Sequence, residues 1–252
     1  MRKTILALLL AMAPVEAAVA QYGAFDMGAL TNTLSQDHLT RSERARSEKN
    51  ATASGAPALR QLSRSLARSL DNTPDVVVVS ARYTPSEAVR KRLAEIMAEG
   101  AGRVGASEAR EMRELVLSKQ ALREYERVAP GLGYRANDAV DALAFYLLAQ
   151  WGVANDYRGD VSRAQAAAVR RQAANAYATV ADRLSSDSLR QEFAEMLAVQ
   201  GVIMAGAHEA AVRSGDQAAL DRYSSLARKG GRMLFTIDPT RIRLTDAGFR
   251  RK

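Results

Sequence analysis

The run AVDALAFYLLAQWGVAND, residues 139–156, constrains the fold more than any other stretch of the chain. Val140, Leu143, Leu147 and Trp151 recur at helical spacing, while Phe145, Tyr146, Leu148 and Ala149 make the remaining sides apolar as well. A helix that is apolar all round has to be wrapped by other elements, so it belongs at the centre of a packed body. It does not read as a membrane span: Asp138 and Asp141 open it, Gln150 and Asn155 interrupt it, and a span needs about 20 apolar residues. The first expectation is a buried central helix that carries the only tryptophan of the chain.

Helical periodicity continues on both sides of that run. LRQLSRSLARSL, residues 59–70, sets Leu59, Leu62, Leu66 and Leu70 on one stripe, with Arg60, Arg64 and Arg68 as a neighbouring ridge. Thr84-Pro85-Ser86-Glu87 has the form of a capping box with proline in the first turn. Val89, Leu93, Ile96 and Met97 follow on one face until GAGRVG interrupts. Shorter helices are predicted over 107–116 and 118–128, the second closed by PGLG, where Gly131 or Gly133 takes a left-handed cap. Ser162-Arg163-Ala164-Gln165 is a second capping box; Val169, Ala173 and Tyr177 face inward behind it, with Arg163, Arg170 and Arg171 outward. A long helix over 188–213 carries Phe193, Met196, Leu197 and Ile203, and a last one over 217–235 carries Leu220, Tyr223, Leu226 and Met233. Six or seven helices with short loops and no run of alternating strands make an all-α bundle. Two stretches break the helical rhythm. Val76 to Val79, between Pro74 and Pro85, predicts a short extended connector. TIDPTRIRLTDAGFRRK predicts an extended C-terminal tail in which Ile237, Ile242, Leu244 and Phe249 strap across the bundle.

The first twenty residues have another purpose. Arg2 and Lys3 precede an apolar stretch from Thr4 to Ala13, Pro14 breaks it, and Ala18-Val19-Ala20 fits the small-x-small rule of a secretory signal. Cleavage near Ala20–Gln21 is expected, and with it export to the periplasm or beyond. Residues 21–57, with LTRSERARSEKNATASGAP, offer little to bury and read as a disordered linker. The domain plan is therefore 1–20 signal peptide, 21–57 linker, 58–83 amphipathic helix and connector, and 84–252 helical domain. With no cysteine, disulfides, lipid attachment and thiolate metal sites are excluded, and an exported chain must rely on its core. The formal charge is +8; losing Arg2, Lys3 and Glu16 with the signal removes a net one and leaves +7. The surplus is spread out and aromatics are 6%, which argues against nucleic acid, since single-strand platforms interleave aromatics with basic groups.

RYTPSEAVRKRLAEIM, NDAVDALAFYLLAQWGVAND, SRAQAAAVRRQ and the closing RIRLTDAGF occur in that order. Together they resemble an uncharacterised family of exported bacterial helical proteins, a domain of unknown function. Its members have a signal peptide, a variable polar linker and a helical domain ending in threonine, aspartate or glutamate, alanine, glycine and phenylalanine. The resemblance covers about residues 81–250. It implies the domain boundaries and carries no functional residue.

The chemistry of the chain is sparse. His38 lies in the linker, and His208 has no second histidine four residues on, so a zinc-protease helix is absent and a helix-surface or groove position is expected. No nucleophile elbow and no phosphate loop in the right context occur. Among carboxylates, Asp138 and Asp141 suit the favourable charge of a helix N-terminus. Asp156 and Asp160 flank Tyr157-Arg158-Gly159 without the spacing of a calcium loop. Two candidate sites remain. Trp151, Tyr157, Arg158, Arg170 and Arg171 form a prospective ligand groove where the central helix ends. The 59–70 helix, through Leu59, Leu62, Leu66, Leu70, Arg60, Arg64 and Arg68, is a prospective interaction helix for a partner or for peripheral membrane contact; docking of its leucines on the parent domain is the plainer alternative. The sequence reading is a non-enzymatic exported module, without cofactor or metal, that contacts a protein or envelope component. The competing reading is a cell-wall hydrolase using paired carboxylates.

Overall fold

A computed structural model describes residues 57–72, 75 and 77–252. The expected signal peptide, His38 and nearly all of the expected linker lie outside the described residues. Among the described residues, eight α-helices precede a two-stranded hairpin: α1 (57–69), α2 (Glu87–Gly102), α3 (Ala106–Leu117), α4 (Gln120–Leu132), α5 (Ala139–Ala154), α6 (Arg163–Ala178), α7 (Asp187–Ser214) and α8 (Gln217–Phe235), then β1 (Ile242–Thr245) and β2 (Gly248–Arg251). None of the described helices is long and apolar enough to cross a membrane.

All sixteen residues of α5 are buried. Asp138 caps it, accepting from Val140 N at 3.0 Å and Asp141 N at 3.2 Å. Its most extensive neighbour is α7, which runs in the same direction: Gly201 lies against Phe145 and Tyr146, and His208 against Asp156. α8 runs the opposite way, with Gln150 Nε2 donating to Ala227 O at 2.7 Å and Ser224 Oγ to Ala154 O at 3.1 Å. The capping box at Ser162 and Gln165 starts α6 as the sequence indicates.

The box expected at Thr84–Glu87 does not form. The α2 entrance is held by α7 instead: Asp187 Oδ2 takes Thr84 N at 2.9 Å, while Gln191 accepts from Ser86 N at 2.8 Å and donates to Ser86 O at 2.9 Å. Side chains from a neighbouring helix satisfy the free N–H groups that a local cap would have satisfied. α8 also turns differently from its apolar period. Met233 is 48% exposed and Leu226 only half-buried, while Ala227, Gly230, Gly231, Leu234 and Phe235 face inward. Small residues let the backbone approach closely; a Cβ at Gly231 would meet Pro239 Cγ at 2.1 Å.

The tail is a β-hairpin rather than a simple extended strap. Ile242 and Phe249 are buried, and Phe249 packs on Trp151 and Phe235 with ring centroids at 5.9 and 5.3 Å. The Thr245–Phe249 stretch that carries the closing signature acquires a physical reason here. Thr245 Oγ1 donates to Gly248 O at 2.9 Å, and Gly248 has φ +92 beside Gln172, whose Oε1 would lie 2.5 Å from a Cβ there. The buried Gln172 amide then acts as a third strand: its Oε1 accepts from Phe249 N at 2.8 Å, and its Nε2 donates to Phe249 O and Ser69 O at 3.0 and 2.8 Å. One side chain so ties the end of α1, helix α6 and the hairpin together.

Candidate functional site

Where α5 ends, its backbone turns back on itself. Tyr157 N donates to Gly152 O at 2.8 Å, and Asn155 Nδ2 donates to Trp151 O and Pro239 O at 2.9 and 3.2 Å. Asp156 sits at φ +45, in the left-handed region. Gly159 is required three residues later because the Tyr157 ring lies over it, with Oη 2.6 Å from where a Cβ would be. The loop therefore folds the Tyr157 ring onto the end of α5, against Trp151 at a centroid distance of 4.9 Å.

That fold leaves a small apolar groove, open to solvent at its mouth, between α4, α5, α7 and the loop. Val128 and Leu132 come from α4, Phe145, Leu148, Trp151 and Gly152 from α5, Tyr157 and Val161 from the loop, and Ala205 from α7. Trp151 is 5% exposed; its Nε1 donates to Ile242 O at 2.9 Å, so the polar edge of the indole is satisfied inside and its face is left for the groove. A Cβ on Gly152 would meet nothing within 4 Å. Space at the floor thus comes from the one missing side chain.

The five residues anticipated for a ligand groove divide. Trp151, Tyr157 and Arg158 share this end of α5, with Arg158 Nη2 donating to Asp156 Oδ2 at 2.8 Å. Arg170 is at the opposite end, bound to Asp141 and 3.6 Å from Asp138; ten residues of helix separate Asp141 from Trp151, about 15 Å. Arg171 is half-buried on α6, where its carbonyl accepts from Asn175. Leu62 and Leu66 of α1 and Leu70 just past its end are buried against the body and Leu59 packs at its margin, while Arg60, Arg64 and Arg68 face solvent. Ser63 Oγ donates to Met233 O at 2.8 Å, fixing α1 to α8.

The description "Family of unknown function (DUF6683)" matches residues 1–252. The chain belongs to this family. No curated protein and no solved structure matches it.

In this DUF6683 chain part of the remaining polar chemistry is internal. Arg90 donates to both Glu195 oxygens, at 3.0 and 2.6 Å, and Arg92 Nε donates to Glu192 at 2.6 Å, so two buried carboxylates of α7 are paired from α2. Burial pushes the Glu195 carboxyl above its ordinary range while Arg90 opposes the shift, and burial raises Asp141 likewise. Both lie inside helix packing. Among the described residues, no three His, Asp or Glu side chains converge in a way that would hold a metal.

His208 departs from the surface or groove position expected of it. It is 1% exposed, and its Nε2 lies 2.8 Å from Asp156 Oδ1. Sequence reading gave no local sign of the pair, because 52 residues separate its members. The groove had one sign: a glycine inside the most apolar helix, where close approach or missing volume is the usual reason for it.

Proposed function

We propose that the chain is an exported, non-enzymatic helical module that binds an envelope protein by taking one apolar side chain of that partner into the groove at the end of α5. The observation that carries this reading is the open floor at Gly152 beside the faces of Phe145, Trp151 and Tyr157. Concave apolar sites walled by aromatic groups are where ligands and anchor side chains bind. The exposed Arg158 and Arg163 beside the groove, on a chain of formal charge +8, favour a partner segment with acidic residues flanking the anchor. The secretory pattern of residues 1–20 supports export. The carboxylates also favour binding over hydrolysis, since Glu192, Glu195 and Asp141 are each held by an arginine within helix packing rather than across a cleft.

The only tryptophan is part of the groove wall, so its fluorescence reports occupancy directly. Peptides with one Leu or Phe between acidic residues are expected to quench or shift Trp151 emission saturably. Burying such an anchor contributes about 2–3 kcal/mol, roughly 30- to 150-fold in affinity over a Gly-substituted peptide. Gly152→Leu fills the floor and is expected to abolish that gain. Emission unchanged by any anchor peptide, or equal binding by the variant, refutes the reading. Export is checked by N-terminal sequencing of the secreted or periplasmic chain, which is expected to begin at Gln21.

A further inference from the structure

One wall of the groove is a loop without regular structure, held by a helix to which it is not adjacent in sequence. Asp156 occupies a left-handed conformation at φ +45, which costs a residue with a β-carbon about 1–2 kcal/mol and persists only where the surroundings enforce it. Backbone bonds from Asp156 N to Val153 O at 3.3 Å and from Tyr157 N to Gly152 O at 2.8 Å hold the turn, and two contacts to its carboxylate tie it to the body: His208 Nε2 at 2.8 Å on one oxygen and Arg158 Nη2 at 2.8 Å on the other. His208 stands three residues after Ala205, so α7 supplies both a groove-lining side chain and the anchor of the groove's opposite wall. Tyr157, next to Asp156, is the residue so placed against Trp151.

The imidazole is poised unevenly. With Nε2–H donating to Asp156, Nδ1 keeps a lone pair that is buried and unbonded. A second proton would leave an N–H without an acceptor and a charge in a buried place. Burial accordingly holds His208 below the ordinary imidazole range, and Asp156 and Glu209 only partly offset this. The charged groups acting on it are Asp156 and Arg158 from the loop and Glu209 from α7 itself; from α8, Ala219, Leu220 and Tyr223 pack on the next turn of α7.

We propose that His208 and Asp156 are positioning residues of the groove: with the imidazole neutral they pin the 155–161 loop and hold Tyr157 against Trp151, and protonation of His208 in mild acid releases that wall. The inference rests on the groove reading for its use, but its physical content is independent of any ligand. The sign follows from linkage. A histidine held below its unfolded value of about 6.5 contributes stability that is complete above that pH and lost as pH falls towards the folded value.

The test uses the full mature chain without ligand. Trp151 emission is followed from pH 8 to 4.5, with far-ultraviolet circular dichroism on the same samples and the His208 ring followed by NMR. The expected result is a reversible emission shift with a midpoint below 6.5, coincident with His208 titration, at constant helicity. His208→Gln keeps an N–H donor for Asp156 and is expected to show the neutral-form emission at pH 7.5 with no shift in acid. Asp156→Ala is expected to show the acid-form emission already at pH 7.5. Where His208→Gln fails to fold, the wild-type comparison of emission and ring titration decides alone. An emission that ignores His208 titration, a shift that persists in His208→Gln, or a shift accompanied by loss of helicity overturns the proposal. Peptide binding at a fixed pH of 7.5 is read separately, so loss of one result leaves the other standing.

Discussion

Two glycines on facing helices should respond in opposite directions to the same substitution. At Gly152 a Cβ meets nothing within 4 Å, so Ala removes the conformational entropy cost of glycine in a helix without a clash. That cost is about 0.5–1 kcal/mol, and at roughly 2–4 °C per kcal/mol for a body of this size the Tm should rise by about 1–4 °C. At Gly201 the added Cβ falls 2.8 Å from Phe145 Cε1, 3.1 Å from Cδ1 and 3.6 Å from the Tyr146 backbone. Overpacking costs about 1–3 kcal/mol; after the same helix gain the net loss is about 0–2.5 kcal/mol, a Tm lower by up to about 10 °C. Relief at Gly201 is open only to the Phe145 ring, which borders the groove, so Gly201→Ala should also weaken binding of an apolar anchor. Scanning calorimetry of the two variants against the parent is the assay. A Gly152→Ala chain less stable than the parent, or a Gly201→Ala chain stabilised by the full helical increment, would refute the placement of the groove between α5 and α7.

Two further outcomes concern the helix ties. Arg90→Met leaves Glu195 buried without its partner, and losing one partner of a buried pair costs about 3–5 kcal/mol, whereas the double change Arg90→Met, Glu195→Met should recover most of that; denaturant melts of the parent, both single variants (Arg90→Met and Glu195→Met) and the double give the coupling, and additive losses would show that the pair does not act as a unit. Because burial raises Glu195, its own contribution is full below about 4.5 and is lost as pH rises, so the Arg90→Met penalty should shrink in acid. Leu66→Ala should cost about 2–5 kcal/mol and raise protease sensitivity of α1, by release of the leucine face from the body; an unchanged melt would mean that α1 does not need that face to dock.

The sequence made the central helix legible because its signal is redundant: apolar residues on every side of residues 139–154 permit only burial, whatever the neighbours are. The cap at Ser162 and the acidic start at Asp138 and Asp141 were legible for the same local reason, as each acts within four residues. What failed was any feature whose partner lies far along the chain. Thr84 and Glu87 have the letters of a capping box, but Asp187 and Gln191, about a hundred residues on, compete for the same N–H groups and hold them. On α8 the apolar period pointed through Leu226 and Met233, yet close approach selected the glycine and alanine face. The tail reads as extended because its hairpin depends on Gln172 serving as a strand edge, which no periodicity within 236–252 reveals. At the candidate site five residues were grouped by nearness in sequence: Trp151 and Tyr157 pack on each other, Arg158 turns to Asp156, and Arg170 and Arg171, reached across a loop, belong to other surroundings.

The same contrast bears on function. In this bundle glutamines and carboxylates tie helices together: Gln150 joins α5 to α8, Gln172 joins α6 to α1 and the hairpin, Gln191 and Glu195 join α7 to α2. A core rich in alanine has fewer interlocking side chains to fix one helix against another, and buried polar pairs, each costly if unmatched, supply that selectivity. Gly152 is the departure from the pattern. It lies in the most apolar helix, at a position where alanine would be locally better and would fit, and the consequence of its absent side chain is an opening bordered by three aromatic rings. Local choices that conflict with stability are expected where a site needs them. If Gly152→Ala stabilises the chain and closes the opening together, the stability forgone at that residue and the ability to receive an apolar anchor have a single structural cause.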